Sequence, residues 1–170
     1  FRIGDLIRVG TIDEGYVEDI TLRHTVIRDF DNKRIVIPNS LISTETIHNS
    51  TIKDARYMNR IPFGISYESD LNAAIAIIQK EVLAHPRYRD YRTAEQKIAD
   101  NALVDVRVMS WDESGVTLRA YVWTDTQLEG FLLRTDLLKS IKLRFEQSGI
   151  EIPYPHRTLV YKNNEPKKEV

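Results

Sequence analysis

The side chains best suited to acid–base or metal chemistry in this sequence are four histidines and two acidic pairs. The histidines are His24, His48, His85 and His156; the pairs are Asp13-Glu14 and Glu18-Asp19. Two imidazoles that share a metal on a helix need a spacing such as H-x-x-x-H, which puts them on one face. No two of these histidines are so spaced, and none adjoins a carboxylate in a recognisable motif. We read each as a surface or structurally satisfied histidine, in keeping with the intermediate burial of this side chain. The acidic pairs flank a turn, where charge is solvated, and do not make the separated dyad used in glycoside hydrolysis.

No G-x-S-x-G, Walker-type or G-x-G-x-x-G sequence occurs. With seven glycines in the chain, a glycine loop that cradles phosphate is not expected. Cysteine is absent, which removes disulfide, thiolate-metal and thiol-nucleophile chemistry together and suits a reducing compartment. The chain is therefore read as carrying no catalytic, cofactor-binding or metal-binding residue, and not as an enzyme.

Composition agrees with an ordinary globular protein: 170 residues, 42% hydrophobic and 29% charged, enough to bury a core in one large domain or two small ones. Lys and Arg number 24 against 25 Asp and Glu, and neither half holds the basic excess that phosphate neutralisation favours, so no nucleic-acid partner is expected. No apolar run reaches the roughly 18 residues that span a bilayer. The longest candidate, LNAAIAIIQKEVLA, is amphipathic and carries Gln, Lys and Glu. The chain opens at Phe1, without Met or a signal peptide, in sequence that already reads as folded; it is expected to be a piece of something longer.

Up to about residue 52 the pattern is all-β. Short strands are predicted at Leu6–Val9, Val17–Leu22, Thr25–Arg28, Arg34–Ile37 and Ile47–Asn49. Turns are predicted at Glu14-Gly15 and Asp31-Asn32, whose residue types tolerate positive φ. Five short strands at close spacing suggest a small, strongly bent sheet or barrel. Pro38 cannot donate to a ladder and ends the fourth strand. Its fixed φ suits the second position of a β-turn and Asn39 suits the third, so IVIPNSLI reads as strand, corner and return.

From about Tyr57 the pattern changes. NRIPFGISY is extended. Ser69 can cap a helix in which Leu71, Ala74, Ile75, Ile78 and Val82 recur at helical spacing, ended by His85-Pro86. Strands follow at Leu103–Met109 and Gly115–Trp123, with Trp111 and Trp123 read as core or interface. A second helix spans Gln127 to Gln147, with Leu138, Ile141 and Phe145 as its inner stripe and Gly149 beyond its C-terminus. Ile150–Ile152 is read as a last short strand, giving the order β-α-β-β-α-β of ferredoxin-like folds. RTLVY is one further strand, and NNEPKKEV reads as a disordered tail.

The ordered motifs resemble one family. F-x-I-G-D-x-I at Phe1–Ile7 is followed by G-x-V-E-x-I at Gly15–Ile20, T-x-I-R at Thr25–Arg28, I-V-I-P-N-S at Ile35–Ser40 and I-x-N-S at Ile47–Ser50. Later come G-I-S-Y-E-S-D at Gly64–Asp70, D-L-L-x-x-I-K-x-x-F at Asp136–Phe145 and G-I-E-I-P-Y-P at Gly149–Pro155. Each piece is weak alone; their order and spacing resemble the small-conductance mechanosensitive channel (MscS) family, over Phe1 to about Tyr161.

The resemblance implies an α+β chain: an Sm-like five-stranded β domain over residues 1–54, a ferredoxin-like domain over 55–155, a barrel strand over 156–162 and a tail over 163–170. It further implies a homoheptamer whose copies form a hollow cytoplasmic cage, pierced by portals, beneath membrane helices upstream of Phe1. The full-length protein would lie in the inner membrane, in contact with lipid, and pass ions and small osmolytes when tension rises. On this reading Pro38 and Asn39 stop and turn a strand at a subunit interface. Arg56 and Arg60, between Lys53 and Arg60 at the domain junction, are expected to line the portals, where charge biases ion passage. Two other readings remain at this point: an Sm-like RNA-binding ring, and a regulatory module that senses a small ligand or a protein.

Overall fold

The computed structural model describes residues 1–98 and 102–155 and divides into two compact units. His156, the expected barrel strand at Arg157–Tyr161 and the tail lie outside the described residues. Unit 1 comprises Phe1–Tyr57 and Trp123–Gly130. Unit 2 comprises Met58–Val122 and the residues from Phe131 on. Both are mixed or β-rich structures in which strands pair largely between chain neighbours.

Unit 1 holds strands β1 (Leu6–Val9), β2 (Gly15–Ile20), β3 (His24–Asp29), β4 (Arg34–Pro38) and β5 (Ile47–Asn49), with the one-turn helix α1 (Asn39–Ile42) between the last two. They form one open antiparallel sheet in the order β4-β3-β2-β1-β5. Alternation along β1 to β4 sends Ile7, Val9, Val17, Ile27 and Ile37 inward, where Ile42 of α1 joins them. β2 carries a bulge at Val17/Asp19, which bends the sheet.

Two expected turns resolve differently. Asn32 adopts φ 66°, as the Asp31-Asn32 turn requires, but between β1 and β2 the positive-φ residue is Gly10 (φ 55°) and not Gly15. Gly15 lies within β2 for a steric reason: a Cβ there would meet Ile27 Cγ2 at 2.5 Å and the Arg28 carbonyl oxygen at 2.6 Å. β2 also stops at Ile20, two residues before the predicted end, because Thr21 and Leu22 enter a hydrogen-bonded loop.

Unit 2 contains the sheet order β6-β8-β7, from β6 (Tyr57–Ile65), β7 (Asp105–Trp111) and β8 (Val116–Thr124), with β7 antiparallel to β8. Helices α2 (Leu71–Ala84) and α4 (Gln127–Gln147) contribute Ala74, Ile78, Val82, Leu133, Leu137, Ile141 and Phe145 to a core with Ile61, Phe63, Leu118, Ala120 and Val122. A short helix, α3 (Ala94–Ile98), buries none of its residues; no periodic apolar pattern announces it.

Four expectations for unit 2 are corrected. Asp70, not Ser69, caps α2, its carboxylate accepting the Asn72 and Ala73 N–H groups at 2.9 and 3.0 Å. The Ser69 hydroxyl is taken by the Glu151 N–H. The inner stripe of α4 runs through Leu133, Leu137, Ile141 and Phe145 at i, i+4 spacing, leaving Leu138, one residue round from Leu137, 43% exposed.

Ile150–Ile152 forms no strand. The Ser66 N–H reaches the Glu151 carbonyl at 2.8 Å, but the Glu151 N–H turns to a side chain and Pro153 has none to give, so no ladder extends. Trp111 is 81% exposed at the end of β7, which removes the core alternative for it and leaves the interface one.

Candidate functional site

The stretch from the β2–β3 loop to α1 is a connected polar region of unit 1. Pro38 (φ −57°, ψ 134°) is the last, still extended residue of β4, and the predicted two-residue turn is absent. Asn39 instead starts α1: its carbonyl accepts the Ser43 N–H at 3.0 Å, closing one helical turn. The Asn39 N–H donates to the Arg23 carbonyl at 2.9 Å. Peptide planes alternate along an extended strand, so the nitrogen of Pro38 faces the open edge of the sheet. Proline thus leaves no donor where β4 is unpaired, the position at which it is tolerated best.

The Asn39 side chain ties this corner to the hairpin beside it. Its Nδ2 donates to the Thr21 carbonyl, and its Oδ1 accepts the hydroxyl of buried Thr25. Thr21 closes the β2–β3 loop, its hydroxyl donating to the His24 carbonyl and accepting the N–H groups of Arg23 and His24. Leu22, at the tip of that loop, is 100% exposed. The partners lie fourteen and eighteen residues from Asn39, beyond any local sequence rule.

An open cleft of about 520 Å³ in the same unit is lined by Arg8, Thr11, Ile12, Asp13, Glu14, His48, Ser50, Tyr57 and Gln127. Glu14 is fixed there by neutral donors, the Ser50 hydroxyl at 3.0 Å and the Gln127 amide at 2.8 Å. Arg8 and His48 are cross-strand partners on β1 and β5. The lining holds both signs of charge. The sequence marks Glu14 only as half of an acidic pair, since both its partners are remote.

The two arginines singled out in the sequence differ. Arg56 pairs with Asp54 through bonds of 2.8 and 2.7 Å from its Nε, which also hold the Asp54 carboxyl below the usual range. Arg60, on β6, is exposed, and its side chain makes no hydrogen bond or ion pair among the described residues. Among the described histidines, His85 has a carboxylate beside it: its Nε2 lies 3.3 Å from Asp136, while its Nδ1 accepts the Arg87 N–H. That acceptance places the proton on Nε2. The pair joins the end of α2 to α4, 51 residues apart, which explains why no motif predicts it. Among the described residues no group of three His, Cys, Asp or Glu is arranged to hold a metal, and no helix is long and apolar enough to cross a membrane.

Comparison with known proteins covers both units. Residues 1–52 match the family model for the mechanosensitive ion channel β-domain, and residues 59–152 match that for the C-terminal region of the mechanosensitive ion channel MscS. An uncharacterised MscS family protein of Archaeoglobus fulgidus is 30% identical over 95% of this chain and 53% of its own length. A small-conductance mechanosensitive channel of Helicobacter pylori is 26% identical over 99% of this chain and 57% of its own. The chain thus spans about half the length of the curated relatives it matches. The crystal structure of Helicobacter pylori MscS in its closed state superposes with a TM-score of 0.82 at 22% identity, over 96% of this chain and 60% of that one.

Proposed function

Since this chain belongs to the MscS family of mechanosensitive ion channels, we propose that it is the cytoplasmic vestibule of such a channel. In this reading unit 1 is an Sm-like ring-forming domain and unit 2 a ferredoxin-like domain, and several copies, seven by resemblance, enclose a cage. The cage filters solutes on their way to a pore formed by membrane helices elsewhere in the protein, which releases ions and small osmolytes under tension.

The observation that carries the reading is the open sheet of unit 1. Its outer strands, β4 and β5, each present a row of backbone groups that no strand of the described residues pairs with. Bare edges invite further strands, and natural proteins cover or block them. Pairing β4 of one copy with β5 of the next satisfies both rows at once, and Pro38 then ends the shared ladder. Exposed, unpaired Arg60 suits a portal lining, where a cation biases ion passage; Arg56, neutralised by Asp54, is the weaker of the two portal candidates.

Native mass spectrometry of the chain over a concentration series tests the assembly. A seven-copy species, seven times the 19.8 kDa chain mass, is the expected result. A closed dimer or trimer that persists on dilution overturns the ring.

A further inference from the structure

The cleft of unit 1 holds charges that the packing of the unit does not use. Ile7 and Val9 face the core from β1, so alternation turns Arg8 to the opposite face, where His48 of β5 is its cross-strand partner. Ser50 continues this row: its N–H donates to the Leu6 carbonyl and its hydroxyl to Glu14. Arg8, His48 and Asp13 line the cleft and are exposed. Among the described residues no hydrogen bond or ion pair occupies their side chains.

Glu14 differs. Its two oxygens each accept a bond, from the Ser50 hydroxyl and the Gln127 amide, which fix the carboxylate in place and leave its charge intact. Lys33, whose charge reaches Asp13, is bonded to Asp31 and does not line the cleft. With His48 neutral, the lining therefore carries one cation, Arg8, against two carboxylates, Asp13 and Glu14.

The complement of such a lining is a molecule with one anionic group and two cationic ones. Quaternary ammonium groups are held by cages of aromatic faces, and Tyr57 is the single aromatic ring of this cleft. Cations that carry N–H donors fit instead, since a carboxylate accepts them directly. We infer that the cleft is a binding site for a basic α-amino acid, with its carboxylate against Arg8 and its two cationic groups against Asp13 and Glu14. A volume of about 520 Å³ takes the long side chain of such a ligand together with bridging water. Acidic amino acids are rejected, because they bring a second anion to a lining already rich in carboxylate. The site goes beyond the channel reading and does not need the ring: its side chains stand on a face of the sheet, whereas ring pairing uses the backbone of the edge.

Isothermal titration calorimetry of the chain at low salt tests the site with L-lysine, L-alanine, L-glutamate and 1,5-diaminopentane, which is lysine without its carboxylate. L-lysine is expected to bind most tightly, L-alanine more weakly and L-glutamate weakest. Arg8→Gln lowers the affinity for L-lysine about fivefold, the upper range for an exposed ion pair, and does not weaken the diamine. Asp13→Asn weakens L-lysine and the diamine alike, by about threefold. Circular dichroism checks that both variants fold, as the exposure of the two side chains implies. Absence of saturable L-lysine binding, L-glutamate binding as tightly as L-lysine, or an Arg8→Gln loss shared equally by the diamine overturns the proposal.

Discussion

The Thr25 hydroxyl donates to Asn39 Oδ1 at 2.9 Å, joining a strand interior to the first residue of α1. Thr25 is only 1% exposed, so nothing replaces this bond when Asn39 is shortened. Asn39→Ala is expected to destabilise the chain by about 1–3 kcal/mol, the cost of a buried hydroxyl left without its partner. Urea denaturation reads this directly. Thr25→Val combined with Asn39→Ala should cost less than the sum of the two, because each removes the same bond.

Pro38→Val restores an N–H that points out of the sheet edge. The prediction is a smaller fraction of ring species in native mass spectrometry, with monomer stability little changed. An unaltered oligomer distribution would mean that the β4 edge is not the interface.

In unit 2, Gly115 has no room for a side chain. A Cβ would lie 2.3 Å from the Ile65 carbonyl oxygen, a backbone atom that cannot swing aside. Gly115→Ala should destabilise unit 2 by about 1–3 kcal/mol, the usual cost of forced overpacking, and lower its thermal midpoint.

Arg60→Glu reverses an exposed, unpaired charge on β6. Placed in the full-length channel, it is predicted to shift the reversal potential in a salt gradient toward greater cation preference. Arg56→Glu should shift it less, since Asp54 already offsets that charge. Equal reversal potentials for Arg60→Glu and the parent remove Arg60 from the portal.

Asp90 is hydrogen-bonded by Arg92, and this pairing holds its carboxyl near pH 2, at about 2 against an ordinary 3.8. A depressed folded-state pKa stabilises the protein above the unfolded value and loses that effect as pH falls through the folded one. The stability difference between the parent and Asp90→Asn should therefore be present at neutral pH and vanish as pH falls from about 4 to about 2. A constant difference across that range would show that the substitution acts by another route.

The elements were legible where a local rule governs them. β1, β5 and α4 fall at their predicted bounds, and His85, pushed into extended backbone by Pro86, ends α2 as expected. The misses share a cause. Ser69 and Asp70 both suit an N-cap, and the choice depended on Glu151, 82 residues from Ser69, which claims the serine. Gly15 has a residue type that suits a turn, but its requirement comes from Ile27 across the sheet. Pro38 marks the end of β4 by residue type, but in place of the expected two-residue turn Asn39 starts α1, held by Thr21 and Thr25. Sequence spacing reports neighbours along the chain; these sites are made by neighbours across it.

The sheet of unit 1 ends in two different strands, β4 on one side and β5 on the other. Two copies related by a two-fold axis would have to join like edge to like, leaving the other edge bare. Joining unlike edges is directional and leaves every intermediate with the same two sticky ends, so nothing in a single contact says how many copies to add. Copy number is then set by the rotation each contact imposes: a rotation that divides a full turn closes a ring, and any other winds an open helical filament.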